Sequence, residues 1–336
     1  MSLRTPEQTT AQAQTGLGTR RHVLDLDDFT NVEIDTVLDV AEGMREVLGR
    51  SIKKVPSLRG KVVFTLFYEA STRTRVSFEQ AGKLLSADVI NISASGSSAE
   101  KGESLLNTAL TLQAMHADLL IIRHPHAGAP YFLARHLEHT SVVNAGDGRH
   151  AHPTQALLDL MTIRRHLGSL KDAKVVIVGD VLHSRVARSN IWGLAAAGAR
   201  VVLSGPPTLM PRELLQGEHL TGMPPVEVET DLDKAIEDTD VIMALRLQTE
   251  RQTRGMLPSI REYTRRWLIT PERYRRAKPN ALLMHPGPLN EGIEISSALA
   301  HGVGSGIEEQ VSNGVAVRMA LLYLLLTGGA TEEIIQ

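Results

Sequence analysis

The sequence predicts an α/β protein of two doubly wound parallel-sheet domains, with a ligand site in the cleft between them. Three observations carry this expectation. The chain has 336 residues, enough for two domains of about 150 residues each. Short β-branched and aliphatic runs alternate with stretches of helical period through both halves, the pattern of a parallel sheet covered on both faces. The segments rich in arginine, histidine and hydroxyl groups fall where strands end, and ligands of such sheets gather beyond the strands' carboxyl ends.

Taken in order, residues 1–20 are polar and rich in Gln and Thr, with no apolar core segment of a secretory signal, and read as a disordered leader. From Asp25 to Arg50, apolar Val32, Ile34, Val37, Leu38, Val40, Ala41, Met44, Val47 and Leu48 recur at helical spacing. Residues 62–66 (Val-Val-Phe-Thr-Leu) form the first strand, and a helix from Ser71 or Thr72 follows, both good N-cap types. Strands are expected at 87–92, 118–123 and 141–145, with helices at 104–115 and 129–137 between them. Pro153 suits the first position of a helix running to about Leu167, and residues 168–173 read as a junction. A second series follows: strands at 174–180, 200–203, 225–228, 240–245 and 281–284, with helices at 184–197 and 231–237. The last helix spans Ile307 to Leu326 and is stopped by Gly328. The domains are accordingly set at 21–152 and 153–305, with residues 306–330 returning to the first.

Composition narrows the function classes. Apolar residues make up 42% and charged residues 22%, as in an ordinary soluble globular chain. The absence of cysteine excludes disulfides, thiolate metal sites and cysteine nucleophiles, and fits the cytoplasm. A net charge of −2 argues against nucleic-acid and membrane-surface partners, although Arg251 to Arg276 is locally basic and carries Tyr263, Trp267 and Tyr274. The apolar stretch Val315 to Leu326 is interrupted by Arg318 and is too short to span a bilayer. Residues 178–180 (Val-Gly-Asp) follow a strand but lack the Gly-x-Gly-x-x-Gly turn of a dinucleotide site.

The chemistry concentrates at Ser71-Thr72-Arg73-Thr74-Arg75. A helix N-terminus offers unpaired N–H groups and a partial positive charge. Two hydroxyls and a guanidinium fork added to that end suit a phosphate dianion. A well-capped surface helix with solvated arginines would present the same spacing. Arg123-His124-Pro125 sits at a strand end, and His152 and Gln155 lie three apart at a helix start, so both can point off it. Lys101, in a loop of small polar residues, reads on its own as a surface lysine.

Ser-Thr-Arg-Thr-Arg with Ser77-Phe78-Glu79, Arg123-His124-Pro125, His152-Pro153-Thr154-Gln155 and His285-Pro286-Gly287-Pro288 together resemble the aspartate/ornithine carbamoyltransferase family, in order and from about Arg21 onward. The resemblance implies carbamoyl phosphate as one substrate, held by Ser71, Thr72, Arg73 and Thr74. It implies that Arg123, His152 and Thr74 meet the carbonyl oxygen and that Gln155 meets the carbamoyl amide. Ser97 (with Ser98 beside it) and Lys101 match loop residues that reach into a neighbouring subunit's site, which implies a homotrimer. Arg185, Arg246 and Gln248 match positions that bind the amino acid, and Gly287 and Pro288 the loop that closes over the carbamoyl end.

Two cationic forks, Arg185 and Arg246, suit a dicarboxylate, so L-aspartate is expected rather than ornithine. The cysteine of the ornithine branch's His-Cys-Leu-Pro loop is missing, and so are its Asp and Ser-Met-Gly motifs. Gly287 stands where some relatives carry leucine. Direct attack by the amine requires no covalent intermediate, cofactor or metal. A regulatory chain or an adjacent pathway enzyme is a further possible partner. A carbamoyltransferase for ornithine or another amino acid, and a non-catalytic homologue with an assembly role, stand as the alternatives.

Overall fold

In this computed structural model, residues 17–93, 103–219, 222–248 and 256–328 are described. The first sheet holds β1 (Val62–Phe67), β2 (Asp88–Ser93), β3 (Leu119–His124) and β4 (Ser141–Asp147) in the order β2-β1-β3-β4. The second holds β5 (Lys174–Val178), β6 (Arg200–Ser204), β7 (Glu227–Val228), β8 (Val241–Ala244) and β9 (Leu282–Met284) in the order β7-β6-β5-β8-β9. Every pairing between these strands is parallel. The central strands are buried along their length, which is why β3 and β5 read as continuous apolar runs rather than alternating ones.

Both sheets reverse direction beside their central strand. The chain leaves β1 for β2 on one side and returns to β3 on the other; it leaves β5 for β6 and β7 and returns to β8. A crevice opens at the carboxyl ends of the strands where such a reversal occurs. Helix α1 (Asn31–Gly49) starts in a reciprocal cap: Thr30 accepts from the Glu33 N–H while the Glu33 carboxylate accepts from the Thr30 N–H. Helix α2 (Thr72–Leu84) connects β1 to β2, α3 (Leu105–Ala114) lies between β2 and β3, and α4 (Ala129–His136) leads to β4. Helix α5 (Pro153–Leu167) passes from the first sheet to the second, and α6 (Arg185–Ala196) follows β5.

Short helices that the periodicity does not reveal complete the second half: α7 (Arg212–Leu215), α9 (Ile260–Trp267), α10 (Pro271–Tyr274) and α11 (Ser297–Ala300). The expected helix at 231–237 shortens to α8 (Leu232–Ala235), capped by Asp231. Tyr263 and Trp267 of the basic stretch are buried in an apolar cluster on the second sheet, so its aromatic residues serve the core.

The final helix, α12 (Ile307–Thr327), packs on α1, α2 and α5 and touches β9. At 21 residues it is longer than the apolar run 315–326 and is long and apolar enough in composition to cross a membrane. Its residues from Asn313 to Leu324 are nevertheless buried within the protein. One apolar cluster runs from α1 and the first sheet through α5 and α12 to the second sheet. Packing begins ahead of Arg21, inside the span expected to be leader. Leu17 is buried, and Arg20 pairs with Asp28 and Glu33 while lying over the Phe29 ring. Three partners, Asp28 and Phe29 just ahead of α1 and Glu33 in its first turn, hold that arginine in place.

Candidate active site

A cavity of about 560 Å³ lies between the carboxyl edges of the two sheets. From the first sheet's side come Ser71 to Thr74, Arg123, His152 and Gln155; from the second side come Arg185, Arg246, Gln248 and the loop Pro286-Gly287-Pro288. The sequence-expected groups on described residues therefore meet in one place. Ser97 and Lys101 lie outside the described residues.

The end of β1 delivers the first group. Ser71 is the N-cap of α2, yet its side chain caps no N–H of the helix. Thr74 is buried, whereas Thr72 and Arg73 are exposed toward the cavity. Arg73 Nη2 donates to the Pro286 carbonyl at 3.0 Å, bringing the α2 start against the opposite loop. Gly287 makes that approach possible. Its φ is +63°, and a Cβ there would fall inside the Arg73 guanidinium. Glycine is thus the residue this close approach demands, where leucine would displace the arginine.

Arg123, at the end of β3, donates from Nη1 to the Ala145 carbonyl at 3.2 Å, and its Nε lies 3.1 Å from Glu69 Oε2. The same Glu69 oxygen accepts from Arg185 Nη2 at 2.7 Å, and Arg185 Nη1 donates to the Gly148 carbonyl at 3.1 Å. Arg185 is the first residue of α6 and is 4% exposed. Although it comes from the second half of the chain, it is anchored on the first. Motif spacing does not single out Glu69; the signal available is its place two residues before the hydroxyl-rich turn.

His152 is the N-cap of α5 and is buried, its backbone N–H donating to Ser189 Oγ at 2.9 Å. Its Nδ1 has no hydrogen-bond partner among the described residues. Burial, followed by the fields of Arg123, Arg185, Arg318 and Arg73, holds its pKa well below the ordinary imidazole value. The ring is therefore neutral at physiological pH.

Arg318, in sequence an interruption of an apolar stretch, lines the cavity from α12. It is buried, donates to Ser77 Oγ at 2.9 Å and to the Gly314 carbonyl at 3.0 Å, and lies over the Phe78 ring. Burial and the nearby Arg73 push its pKa down to about 10. Burial and Arg246 likewise lower that of Arg73. His285, beneath the closing loop, accepts from the Gly287 N–H at Nδ1, 2.8 Å away. Among the described residues, five arginines thus face one acidic side chain, Glu69, around this cavity. An anionic ligand would relieve the repulsion among them.

A fold of two switch-point sheets and an arginine-lined cleft defines a class, and the family models identify it. The model described as the carbamoyl-phosphate-binding domain of aspartate/ornithine carbamoyltransferase matches residues 21–165, and the model of the aspartate/ornithine-binding domain matches residues 171–325. The chain belongs to the aspartate/ornithine carbamoyltransferase family. Among curated relatives, it is 60% identical to the aspartate carbamoyltransferase catalytic subunit of Roseiflexus castenholzii, over 91% of this chain and 95% of that one. It is 58% identical to the same subunit of Chloroflexus aggregans, over 90% and 97%. Among solved structures, it is similar to Trypanosoma cruzi aspartate transcarbamoylase in complex with carbamoyl phosphate and aspartate (TM-score 0.79, 30% identity, 91% of this chain and 95% of that chain). It is also similar to Pyrococcus furiosus ornithine carbamoyltransferase (TM-score 0.81, 29% identity, 93% and 99%).

Proposed function

We propose that this protein transfers the carbamoyl group of carbamoyl phosphate to the α-amine of L-aspartate, giving N-carbamoyl-L-aspartate and phosphate, an early step of pyrimidine synthesis. The observation that carries the reading is the cavity itself, where, among the described residues, five arginines from both halves of the chain and α12 surround one carboxylate. Carbamoyl phosphate and aspartate together bring a phosphate and two carboxylates, which match that excess. The naming of relatives at 55–60% identity as aspartate carbamoyltransferase catalytic subunits points the same way.

In this mechanism the phosphate sits on the α2 start. There it meets the first-turn N–H groups, the hydroxyls of Ser71, Thr72 and Thr74, and the Arg73 fork. Deprotonated aspartate amine attacks the carbonyl carbon, and negative charge gathers on the carbonyl oxygen. Arg123, Thr74 and neutral His152 donate hydrogen bonds to it, and one such donor contributes about 10²–10³ in rate. The tetrahedral intermediate passes the amine proton to an oxygen of the phosphate as the C–O bond to it breaks, and Arg73 and Arg123 meet the charge of the departing phosphate. Arg185, Arg246 and Gln248 hold the two aspartate carboxylates, while Gly287 and Pro288 close over the carbamoyl end. Holding both substrates in attack geometry supplies much of the remaining acceleration.

Ser97 and Lys101 enter from a neighbouring subunit in this reading, so the working unit is a homotrimer in the cytoplasm, to which a regulatory chain or neighbouring pathway enzyme could attach. A colorimetric ureido assay with carbamoyl phosphate plus either aspartate or ornithine tests the reaction, and solution mass tests the trimer. Product with aspartate alone is expected. Product with ornithine, or with neither amino acid, overturns the reading.

A further inference from the structure

Asp159 lies on α5, one turn beyond Gln155, and is fully buried. Three side-chain amides point N–H groups at it from three helices. Gln155 Nε2 donates to Oδ1 at 3.0 Å from α5, Gln310 Nε2 to the same oxygen at 2.7 Å from α12, and Asn190 Nδ2 to Oδ2 at 2.8 Å from α6. Side-chain amides have a donor end and an acceptor end, and the partners decide which way each one faces. Gln310 has its oxygen held by the His285 N–H at 3.0 Å, so its NH₂ must turn to Asp159. Asn190 has its NH₂ held also by the Val186 carbonyl at 3.0 Å, so turning it round would set its oxygen against two acceptors. Both oxygens of Asp159 therefore receive donors, as an ionised carboxylate requires.

We propose that Asp159 is a positioning residue that fixes the Gln155 amide with its NH₂ turned inward and its carbonyl oxygen toward the cavity, so that the site reads the NH₂ of a carbamoyl group. The inference rests on the reading of the site as a carbamoyl phosphate site and deepens it. A carbamoyl NH₂ is a donor and requires an acceptor opposite. An acetyl group of the same shape has no such donor. A site built to bond an N–H discriminates against the analogue lacking it. Asp159 touches no substrate; it acts through Gln155.

Replacing Asp159 by asparagine keeps the shape, turns one of its two acceptor oxygens into a donor and leaves the other uncharged, so three amide donors are left with one neutral acceptor. Of the three partners, Gln310 and Asn190 are held at further contacts by His285 and Val186, whereas Gln155 also faces the cavity, so Gln155 is the amide most readily released once the anion that holds its NH₂ is gone. The experiment is calorimetric binding of carbamoyl phosphate, acetyl phosphate and inorganic phosphate to the full chain and to Asp159→Asn, Gln155→Ala and the double variant. Asp159→Asn should weaken carbamoyl phosphate about tenfold, the cost of one misdirected hydrogen bond. It should leave acetyl phosphate and inorganic phosphate within about twofold, and add nothing in the Gln155→Ala background. Equal weakening of both acyl phosphates, or additive losses, would make Asp159 merely structural and overturn the proposal. If the unsubstituted protein shows no preference for carbamoyl over acetyl phosphate, the underlying site reading fails and takes this inference with it.

Should Asp159→Asn not fold, the unsubstituted protein gives the same answer through pH. Burial raises the Asp159 carboxyl to about 6; the charged group facing it is Arg318 from α12, α6 contributes the neutral Asn190, and His152 on its own helix stays neutral. Protonation on either oxygen removes the charge that draws the Gln155 NH₂ inward, since a neutral acid accepts more weakly than a carboxylate. The affinity ratio of carbamoyl to acetyl phosphate, in which the shared phosphate's own titration cancels, should fall below about pH 6. A ratio constant between about pH 7.5 and 5 overturns the proposal.

Discussion

The starts of α2 and α6 occupy equivalent places, each just after the central strand of its sheet, each with a serine N-cap and an arginine in the first turn. They are used in opposite ways. Ser184 caps its helix, accepting from the Ala187 N–H, and Arg185 beside it is tied to Glu69 and the Gly148 carbonyl. Ser71 leaves its helix without a side-chain cap, and Arg73 lines the cavity near Arg246 and stands exposed toward it. A helix start saturated by its own side chains belongs to the scaffold. One that leaves its donors unspent is prepared for an anion. The two arginines that would hold a dicarboxylate are thus unequal as well: Arg185 already shares a carboxylate with Arg123, so an incoming carboxylate competes with Glu69 for it.

The largest test of this contrast is Arg73→Ala. Steady-state kcat/KM for carbamoyl phosphate should fall by about 10³ or more, because a fork to the phosphate is removed from bound substrate and from leaving group alike. The thermal midpoint should stay within about 2 °C, since among described residues the Arg73 side chain is tied to the protein by a single hydrogen bond, to the Pro286 carbonyl. Arg185→Ala should behave differently. We expect a loss of about 10² in kcat/KM for aspartate together with a clear drop in thermal midpoint, because Glu69 loses a partner and the start of α6 loses its anchor on the first half. If Arg73→Ala destabilised as much as Arg185→Ala, the distinction between a prepared and a saturated helix start would fail.

The serine pair sharpens the comparison with smaller effects. Ser71→Ala should weaken inorganic phosphate binding by about tenfold at nearly unchanged stability, because its hydroxyl caps no N–H of the helix and in the proposed reading meets the phosphate. Ser184→Ala should lower unfolding stability by about 1 kcal/mol in a denaturant titration and leave phosphate affinity alone. Exchange of these two outcomes would reverse the assignment.

Much of this was legible in the sequence because local signals and tertiary use agreed. The β-branched runs of β1, β3 and β5 are buried on both faces, so their periodicity had no polar face to confuse it. Arg73, Arg123 and His152 sit at strand ends and helix starts, which motif spacing exposes directly, whereas Arg185 and Arg246 are reached through the family resemblance. What stayed hidden depends on contacts between segments far apart in the chain. Arg318 looks in sequence like a break in an apolar stretch, yet α12 carries it from position 318 to Ser77 and Phe78 on α2. Glu69 becomes visible only once β3 and α6 have brought Arg123 and Arg185 to one of its oxygens. The brief helices α7, α10 and α11 are four residues each, too short for any period to register.

A third helix start sets the smallest effect. His152 caps α5 in position but not by its ring, and burial among arginines keeps that ring neutral in the folded protein. In the unfolded chain the same ring titrates near its ordinary value of 6.5. Below that pH the unfolded state takes up a proton that the folded state refuses, so the stability tied to His152 is whole above 6.5 and is lost as pH falls toward its depressed folded pKa. His152→Asn, which retains a polar N-cap type, removes this titration. The slope of thermal midpoint against pH between about 6.5 and 5 should be shallower in the variant, whatever the offset between the curves. Parallel slopes would mean that the folded ring is protonated as readily as the unfolded one. It would then meet a carbonyl oxygen as a cation, and the neutral-donor role drawn from its burial would have to be given up.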